Sequence, residues 1–119
     1  MGLFPKTSRL RYRGEFERVF DAKIAVSDGL LIVFVLQNDL QRSRLGLSVS
    51  RKVGNAVVRN RWKRLIREAF RKIYETFPLY LDVIVIPQRN AKISNGKNIE
   101  ASLKKLIKKA IKRILNNEK

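Results

Sequence analysis

Apolar residues recur along this chain with two different periods, so the sequence predicts both helices and strands. Phe16, Val19 and Phe20 have the spacing of one helix face, whereas residues 45–50 alternate between aliphatic and small or polar side chains, as in a strand. The predicted elements, in chain order, are a helix at 15–22, strands at 24–26, 30–36 and 45–50, a helix from 57 to about 76, a strand at 81–86 and a helix at 99–115. This order predicts an α+β fold with helices packed on one sheet.

The central helix has two contrasting faces at roughly 100° per residue. Its apolar face, which we expect to pack on the sheet, consists of Val58, Trp62, Leu65, Ile66, Ala69 and Ile73. The opposite side has a stripe of Asn60, Lys63, Arg64, Arg67 and Arg71, with Arg59 and Arg61 near the helix start. Only Glu68 interrupts this side, away from the main stripe. Solvated helix faces usually mix charges of both signs, so this nearly uniform positive stripe indicates a binding surface.

The last predicted helix is divided in the same way. Its apolar positions are Ile99, Leu103, Leu106, Ile107, Ala110, Ile111 and Ile114. Its other face consists of Lys104, Lys105, Lys108, Lys109, Lys112 and Arg113. A basic amphipathic helix can lie on anionic lipid, which makes a cationic membrane-surface protein one alternative. Packing of the aliphatic face on the sheet is the more economical interpretation.

Charge is the unusual property of the composition. The 119 residues contain 27 Lys and Arg, 10 Asp and Glu and no His, which gives a net charge of +17. Such a charge opposes folding through self-repulsion, and a polyanionic partner offsets that cost. Strongly basic domains are typical of nucleic-acid binding. Arginine suits phosphate because its planar fork donates two hydrogen bonds and stays charged, and residues on one helix face recur every 5–6 Å or so, close to nucleotide spacing.

The side-chain inventory excludes several kinds of catalysis. Without Cys or His, the chain has no thiolate nucleophile, no imidazole base and no Cys/His zinc site. Its ten acids are scattered among cations, so protein-held two-metal catalysis is not predicted. The N-terminal residues lack a long apolar region, and the longest apolar run, at 30–36, is too short to span a bilayer. We therefore expect a cytoplasmic protein with no signal peptide.

Two segments are defined less clearly by their pattern. Residues 1–12 show no clear period and are interpreted as an extended basic arm of a single domain at 1–119, a length that fits one domain. The small-residue face of the 45–50 strand, formed by Gly46, Ser48 and Ser50, either admits a ligand backbone closely or is a plain solvent-facing surface.

The segment at 46–68, GLSVSRKVGNAVVRNRWKRLIRE, closely resembles the signature of the bacterial ribonuclease P protein family. The Arg-Asn-Arg core at 59–61, followed by Lys63, Arg64 and Arg67, matches the arginine-rich helix of that family. The resemblance extends to the segments at 15–20 and 82–86 and to the basic last helix, so it spans nearly the whole chain. Trp62 departs from it, because the family usually has a smaller aliphatic residue there. Its place on the predicted apolar face favours core packing.

The resemblance implies a four-stranded sheet with three helices and a left-handed strand–helix–strand crossover through the arginine-rich helix. Chain-topology rules alone predict a right-handed crossover. The resemblance also implies that this helix and its adjoining loop bind the catalytic RNA of ribonuclease P. The matching residues are Lys52, Asn55, Arg59, Asn60, Arg61, Lys63, Arg64, Arg67 and Arg71.

A cleft between the sheet and the first helix is implied to receive the single-stranded 5′ leader of precursor tRNA. The matching residues are Phe16, Phe20, Phe34, Ser48, Ser50 and Lys52. Aromatic rings can stack on unpaired bases with little sequence preference, and basic groups can follow the backbone. Ordinary core packing is the alternative for each phenylalanine, and Phe16 and Phe20 could divide between the two roles.

The implied activity is that of a protein subunit of an endoribonuclease, without catalytic residues of its own. Magnesium held mainly by the RNA subunit activates water, which cleaves the phosphodiester and releases the mature 5′ end of the tRNA. The protein lowers the repulsion between two polyanions and holds the leader, with no obligate protein partner and no membrane contact. The alternative function is a general or ribosomal-type basic RNA-binding protein, which would explain the charge without a leader cleft.

Overall fold

The computed structural model describes residues 8–92 and 95–117, the side chain of Asn117 excepted. The helices are α1 (Arg13–Asp21), α2 (Ala56–Ile73) and α3 (Gly96–Asn117), and the strands are β1 (Ala25–Ser27), β2 (Leu31–Gln37), β3 (Arg44–Leu47) and β4 (Leu81–Pro87). Short 3₁₀ turns at Arg51–Val53 and Tyr74–Thr76 flank α2. The predicted order of helices and strands is confirmed. Most of the predicted basic arm, residues 1–7, lies outside the described residues.

The sheet has four strands in the order β1-β2-β4-β3. β2 pairs antiparallel with both β1 and β4, whereas β3 and β4 are parallel and are joined through α2. A strand–helix–strand connection between parallel strands is therefore present, and its left-handedness stays a prediction of the resemblance. The register places Phe34 opposite Ile84, and Ile84 opposite Gly46, in one row across three strands.

The strand predicted at 45–50 ends earlier than expected, at Leu47. The backbone N–H of Ser48 still donates to the carbonyl of Val85 at 3.2 Å. Two residues later the Ser50 hydroxyl accepts from the N–H of Lys52 at 3.1 Å and caps the first 3₁₀ turn. This local hydrogen bond turns the chain away from the sheet, because a Ser side chain offers the backbone an alternative to strand pairing.

α2 and α3 cover one face of the sheet and form the main hydrophobic core. Its largest side chains are Trp62 and Phe70, which are 1% and 0% exposed. The core interpretation of Trp62 is thus confirmed. The apolar face predicted for α3 is buried at every position, and the predicted α2 face is correct at Trp62, Ile66, Ala69 and Ile73, with Leu65 half-buried. No helix in the described ranges is long and apolar enough to span a bilayer.

Val58 was wrongly predicted to be buried, since it is 37% exposed. It lies in the first turn of α2, where it packs against the preceding Gly54 instead of against the sheet. A Cβ on Gly54 would lie 2.8 Å from a Val58 methyl carbon. Phe70, which the periodicity did not include, is buried farther along the helix and has Tyr74 and Phe77 as ring neighbours.

The opposite face of the sheet is covered by α1 and by residues 8–10. Here the buried apolar cluster is small, consisting of Leu10, Val19 and Ile84. Five hydrophobic side chains around it are only half-buried: Phe16, Phe20, Phe34, Leu36 and Ile86. This face of the sheet is therefore incompletely closed.

Candidate nucleic-acid interface

The start of α2 is held by side chains that the sequence assigned to RNA binding. Asn55 is the N-cap residue, and its side-chain oxygen accepts from the N–H of Val58 at 3.0 Å. The Arg59 guanidinium donates through Nε to the carbonyl of Gly54 at 3.2 Å. Both residues therefore shape the loop before α2, and the Arg59 Nη groups have no described partner in residues 8–92 and 95–117.

The predicted arginine stripe does not form one uniform exposed face. Asn60, Arg61 and Arg64 are exposed, whereas Arg59, Lys63, Arg67 and Arg71 are half-buried. The reason is that α2 lies beside the β3 edge of the sheet, so one flank of the stripe faces the chain segment alongside that edge. The stripe therefore divides into an exposed top, formed by Asn60, Arg61 and Arg64, and a partly buried flank, which includes Lys63 and Arg67.

The flank opens onto a cavity of about 170 Å³ at the β3 edge. Its lining consists of Arg9, Leu10, Phe16, Leu45, Leu47, Lys63 and Arg67. Three cations thus meet in one cavity, and none of these lining residues is acidic. The cavity joins a residue of α1 to the basic flank of α2, two elements that the sequence assigned to different ligands.

Arg9 was not predicted as a site residue, because it falls in the segment interpreted as an extended arm. The N–H of Leu10 donates to the carbonyl of Leu45 at 2.9 Å, and Arg9 forms an isolated parallel bridge with Leu45. These contacts hold Arg9 against the edge of β3. The one available signal was Leu10, an apolar residue within a basic segment, which is 6% exposed.

The electrostatics of the cavity favour an anion. The Nε atom of Arg9 is buried and has no hydrogen-bond partner among the described residues. Burial and the nearby charge of Arg9 lower the pKa of Arg67 below its usual value. An unpaired buried polar group costs about 1–3 kcal/mol, and two adjacent guanidinium groups repel each other. A phosphate oxygen placed between them would relieve both costs.

The three candidate cleft phenylalanines are all half-buried, so they do not divide into one buried and one exposed residue. Phe20 and Phe34 meet edge to face, with ring centroids 4.8 Å apart. Phe16 lies over Gly46, where a Cβ would be 2.8 Å from the Phe16 ring and 3.0 Å from Leu10. The idea that this glycine admits a ligand backbone is therefore wrong, because the aromatic ring and Leu10 occupy the space.

The open part of this sheet face lies beyond the row formed by Phe34, Ile84 and Gly46, in the next row of side chains along the strands. Ile86 pairs with Ile32, and both are half-buried on the same face as Phe34. Ser48 lies two residues beyond Gly46 and is exposed on that face. The sequence reasoning identified Ser48 but missed the two isoleucines, whose places in alternating strands were the signal. Ser50 and Lys52 are exposed in the loop beyond β3.

A buried ion-paired group fixes α1 to the sheet. Arg44 on β3 donates to both carboxylate oxygens of Asp82, at 2.8 and 2.7 Å, and to Glu15 on α1 at 2.8 Å. Hydrogen bonding to Asp82 raises the pKa of Arg44. Burial alone would raise the pKa of Glu15, but the N–H donors of Arg11 and Tyr12 and the charge of Arg44 lower it overall. α1 is thereby held at a fixed position above the sheet.

These carboxylates do not form a metal site. Glu15 and Asp82 share Arg44, while Asp28 accepts from Ser102 and Lys105. Within the described ranges, no three His, Cys, Asp or Glu residues are grouped so that they could hold a metal ion.

The fold and this interface define a basic α+β nucleic-acid-binding protein, with an arginine-rich helix beside a cleft lined by aromatic rings. The family model for ribonuclease P matches residues 4–111. The ribonuclease P protein component of Clostridium novyi (strain NT) is 38% identical over 107 residues, covering 88% of this chain and 95% of that protein. The chain belongs to the ribonuclease P protein family.

Solved structures agree with this assignment. The RNase P protein of Staphylococcus aureus, determined at 2.0 Å, superposes with a TM-score of 0.77 at 37% identity, covering 88% of this chain and 96% of that one. The RNase P protein of Thermotoga maritima gives a TM-score of 0.76 at 31% identity, covering 85% and 96%. The expected fold, a four-stranded sheet with three helices, is thus confirmed.

Proposed function

We propose that this chain is the protein subunit of a ribonuclease P and that it binds both the catalytic RNA and the 5′ leader of precursor tRNA. The observation that supports this most directly is the cavity in which Phe16 meets Arg9, Lys63 and Arg67. A single-stranded nucleic acid needs aromatic surface for its bases and positive charge for its backbone, and this cavity offers both within one site.

The leader path that we propose follows the open row of the sheet. Unpaired bases pack on the half-buried rings of Phe20 and Phe34 and on the isoleucines beside them. Backbone phosphates pass the Ser48 end of the row, and one phosphate enters the cavity next to Arg67. Ser50 and Lys52 contact the leader where it leaves the protein.

The catalytic RNA is proposed to bind the exposed top of α2 and the loop before it. Asn60, Arg61 and Arg64 are exposed there, and no ion-pair partner for the two arginines is found at 8–92 or 95–117. Lys52, Asn55 and Arg59 extend this surface through the loop, and Arg71 extends it along the helix. Lys63 and Arg67, which the resemblance assigned to the catalytic RNA, lie where they can contact both RNAs.

Chemistry is proposed to belong to the RNA subunit, which would hold magnesium as the activator of water. Within the described residues, Glu15, Asp82 and Asp28 are engaged with Arg44, Ser102 and Lys105, and no three His, Cys, Asp or Glu residues are grouped to hold a metal ion. The protein instead reduces repulsion between the two RNAs and positions the leader. Such a function needs no membrane contact and no obligate protein partner, and it belongs in the cytoplasm of a bacterium.

Reconstitution tests this proposal. The full chain should not cleave a leader-bearing precursor tRNA alone, but it should restore cleavage by the cognate catalytic RNA at magnesium concentrations where that RNA alone is poor. Cleavage by the protein alone that is lost on mutating one of its acids would refute RNA catalysis. A general RNA-binding protein would raise the affinity of the catalytic RNA for leader-bearing and leaderless tRNA equally. A leader cleft predicts a larger gain in affinity for the leader-bearing tRNA.

A further inference from the structure

The outer face of α3 presents a second concentration of positive charge, away from the arginine-rich helix. Lys104, Lys105, Lys108, Lys109 and Lys112 are all exposed and line a shallow depression together with Ala101. Only Lys105 has an ion-pair partner in the described ranges, since its Nζ lies 3.3 Å from an Asp28 oxygen. No acidic residue lines this surface among the residues described.

A groove of mixed charge separates the two positive surfaces. Glu68 on α2 and Glu100 on α3 line the same groove between the helices, and Lys72 is ion-paired with Glu100 at 3.6 Å. Lys97 also lines this groove, so its charges are of both signs, in contrast to the two positive surfaces on either side. The α3 surface is therefore distinct from the α2 stripe.

The lysine arrangement costs helix stability, which argues against a purely solvating role. Lys104, Lys108 and Lys112 are spaced four apart, as are Lys105 and Lys109. Like charges at this spacing destabilise a helix by a few tenths of a kcal/mol per pair. A solvated face would avoid the cost by alternating signs, as other exposed helices do. A polyanion bound across the surface would remove it.

We propose that the outer face of α3 is a second RNA-binding surface, which contacts the phosphates of a helical RNA segment distinct from the segment on α2. Its side chains are lysines alone, which act as flexible point charges, whereas the forked guanidinium groups of α2 suit fixed bidentate contacts. Steps of four residues along α3 advance by roughly 6 Å. The residues that line this depression include no aromatic ring, so we expect contacts with the RNA backbone that are independent of sequence.

The test compares two variants that lose the same charge. K104Q/K108Q/K112Q removes one row of the α3 surface, and R18Q/K23Q/K92Q removes three exposed charges elsewhere. Binding is measured against salt for the cognate catalytic RNA, mature tRNA and an unrelated RNA duplex. Each lost phosphate contact lowers the log–log salt slope by roughly 0.7–0.9. The slope of the α3 variant should therefore fall by about 2, and its affinity near 0.1 M salt should be about ten- to a hundredfold weaker.

Comparing the three RNAs shows which RNA supplies the phosphates that contact α3. A loss confined to the catalytic RNA assigns the surface to the holoenzyme, and a loss confined to tRNA assigns it to the substrate. Equal slopes for the two variants on every RNA would overturn the proposal. So would unchanged RNA binding together with lost binding to vesicles that contain anionic phospholipid, which would identify a membrane surface instead.

Folding and the proposed activity provide separate controls. Gln is about as good a helix former as Lys, so the α3 variant should melt at or above the temperature of the unmodified protein, because repulsion along α3 is relieved. The preference of the assembled enzyme for leader-bearing over leaderless tRNA should not change. If the leader proposal is wrong, the unmodified enzyme will show no preference for leader-bearing tRNA. The difference in salt slope between the two charge variants would still test the α3 surface.

Discussion

The two faces of the sheet are covered to very different degrees. On the α2/α3 face, Phe70, Leu31 and Leu106 are all 0% exposed, and the core is continuous. On the α1 face, a nine-residue helix covers the strands only partly, and aromatic rings remain half-buried beside a cationic cavity. The comparison teaches that one face supplies stability, whereas the other keeps apolar and charged groups accessible for a ligand.

The largest expected effect comes from opening the closed face. Phe70→Ala should lower the free energy of unfolding by about 3–5 kcal/mol, because it leaves a cavity among buried side chains and removes the ring contacts with Tyr74 and Phe77. Phe34→Ala on the other face should cost clearly less. Urea unfolding of both variants measures the difference, and equal losses would contradict the comparison.

The next effect comes from detaching α1. Arg44→Met leaves Asp82 buried without its cation and removes the link to Glu15, so we expect a loss of about 3–5 kcal/mol at neutral pH. A double replacement of Arg44 by Met and Asp82 by Leu should recover much of that loss, since no buried charge is then left unpaired. If Arg44→Met melts like the unmodified protein, the ion-paired group does not hold α1.

A smaller effect involves the turn that ties β1 and β2 to α3. Burial opposes ionisation of Asp28, but Ser102, the N–H groups of Leu31 and Leu30, and Lys105 lower its pKa to about 2. Because its folded pKa lies below its unfolded value of about 4, Asp28 stabilises the protein above pH 4 and loses this effect as pH falls through about 2.

Asp28→Asn should therefore cost about 1–2 kcal/mol at neutral pH. The stability gap between the variant and the unmodified protein should narrow between about pH 4 and pH 2. Melting curves across this range measure the gap. A gap that stays constant down to pH 2 would show that the charge of Asp28 contributes nothing.

The smallest stability effect belongs to the cationic cavity. Pyrophosphate at matched ionic strength should raise the melting temperature by mass action, since it binds the folded site. Arg67→Gln should reduce that rise, whereas Lys23→Gln, an exposed charge outside the cavity, should not. An identical rise in both variants would place the anion elsewhere.

The sequence allowed the closed face to be predicted better than the open one. Every α3 position that helical periodicity predicted to be apolar is buried, and so are most of those predicted for α2, because a face buried against a sheet must be largely apolar. Periodicity failed at Val58, where a loop contact replaces sheet packing, and at Phe70, which lies at the margin of the predicted face. The crossover and the ligands that we propose came from the resemblance, not from any pattern.

The cavity could not be predicted, because its parts are distant in sequence. Arg9 joins Phe16 and Arg67 only through the backbone contact of Leu10 with Leu45. Leu10 was the one signal, and a single apolar residue in a basic segment without a period does not specify pairing to a strand edge. The half-buried state of the three phenylalanines likewise depends on how much of the sheet α1 leaves uncovered.

The central claim is that the incompletely covered face binds the leader, and it is tested most directly by the affinity of the assembled enzyme for leader-bearing relative to leaderless tRNA. With Phe34→Ala, shown by circular dichroism and melting to be folded, the leader-bearing tRNA should lose about 1–3 kcal/mol of binding while the leaderless one is unaffected. Arg64→Ala is the matched control. It should weaken binding to the catalytic RNA and leave the affinity ratio unchanged. An unchanged ratio in a folded Phe34 variant would contradict the leader cleft.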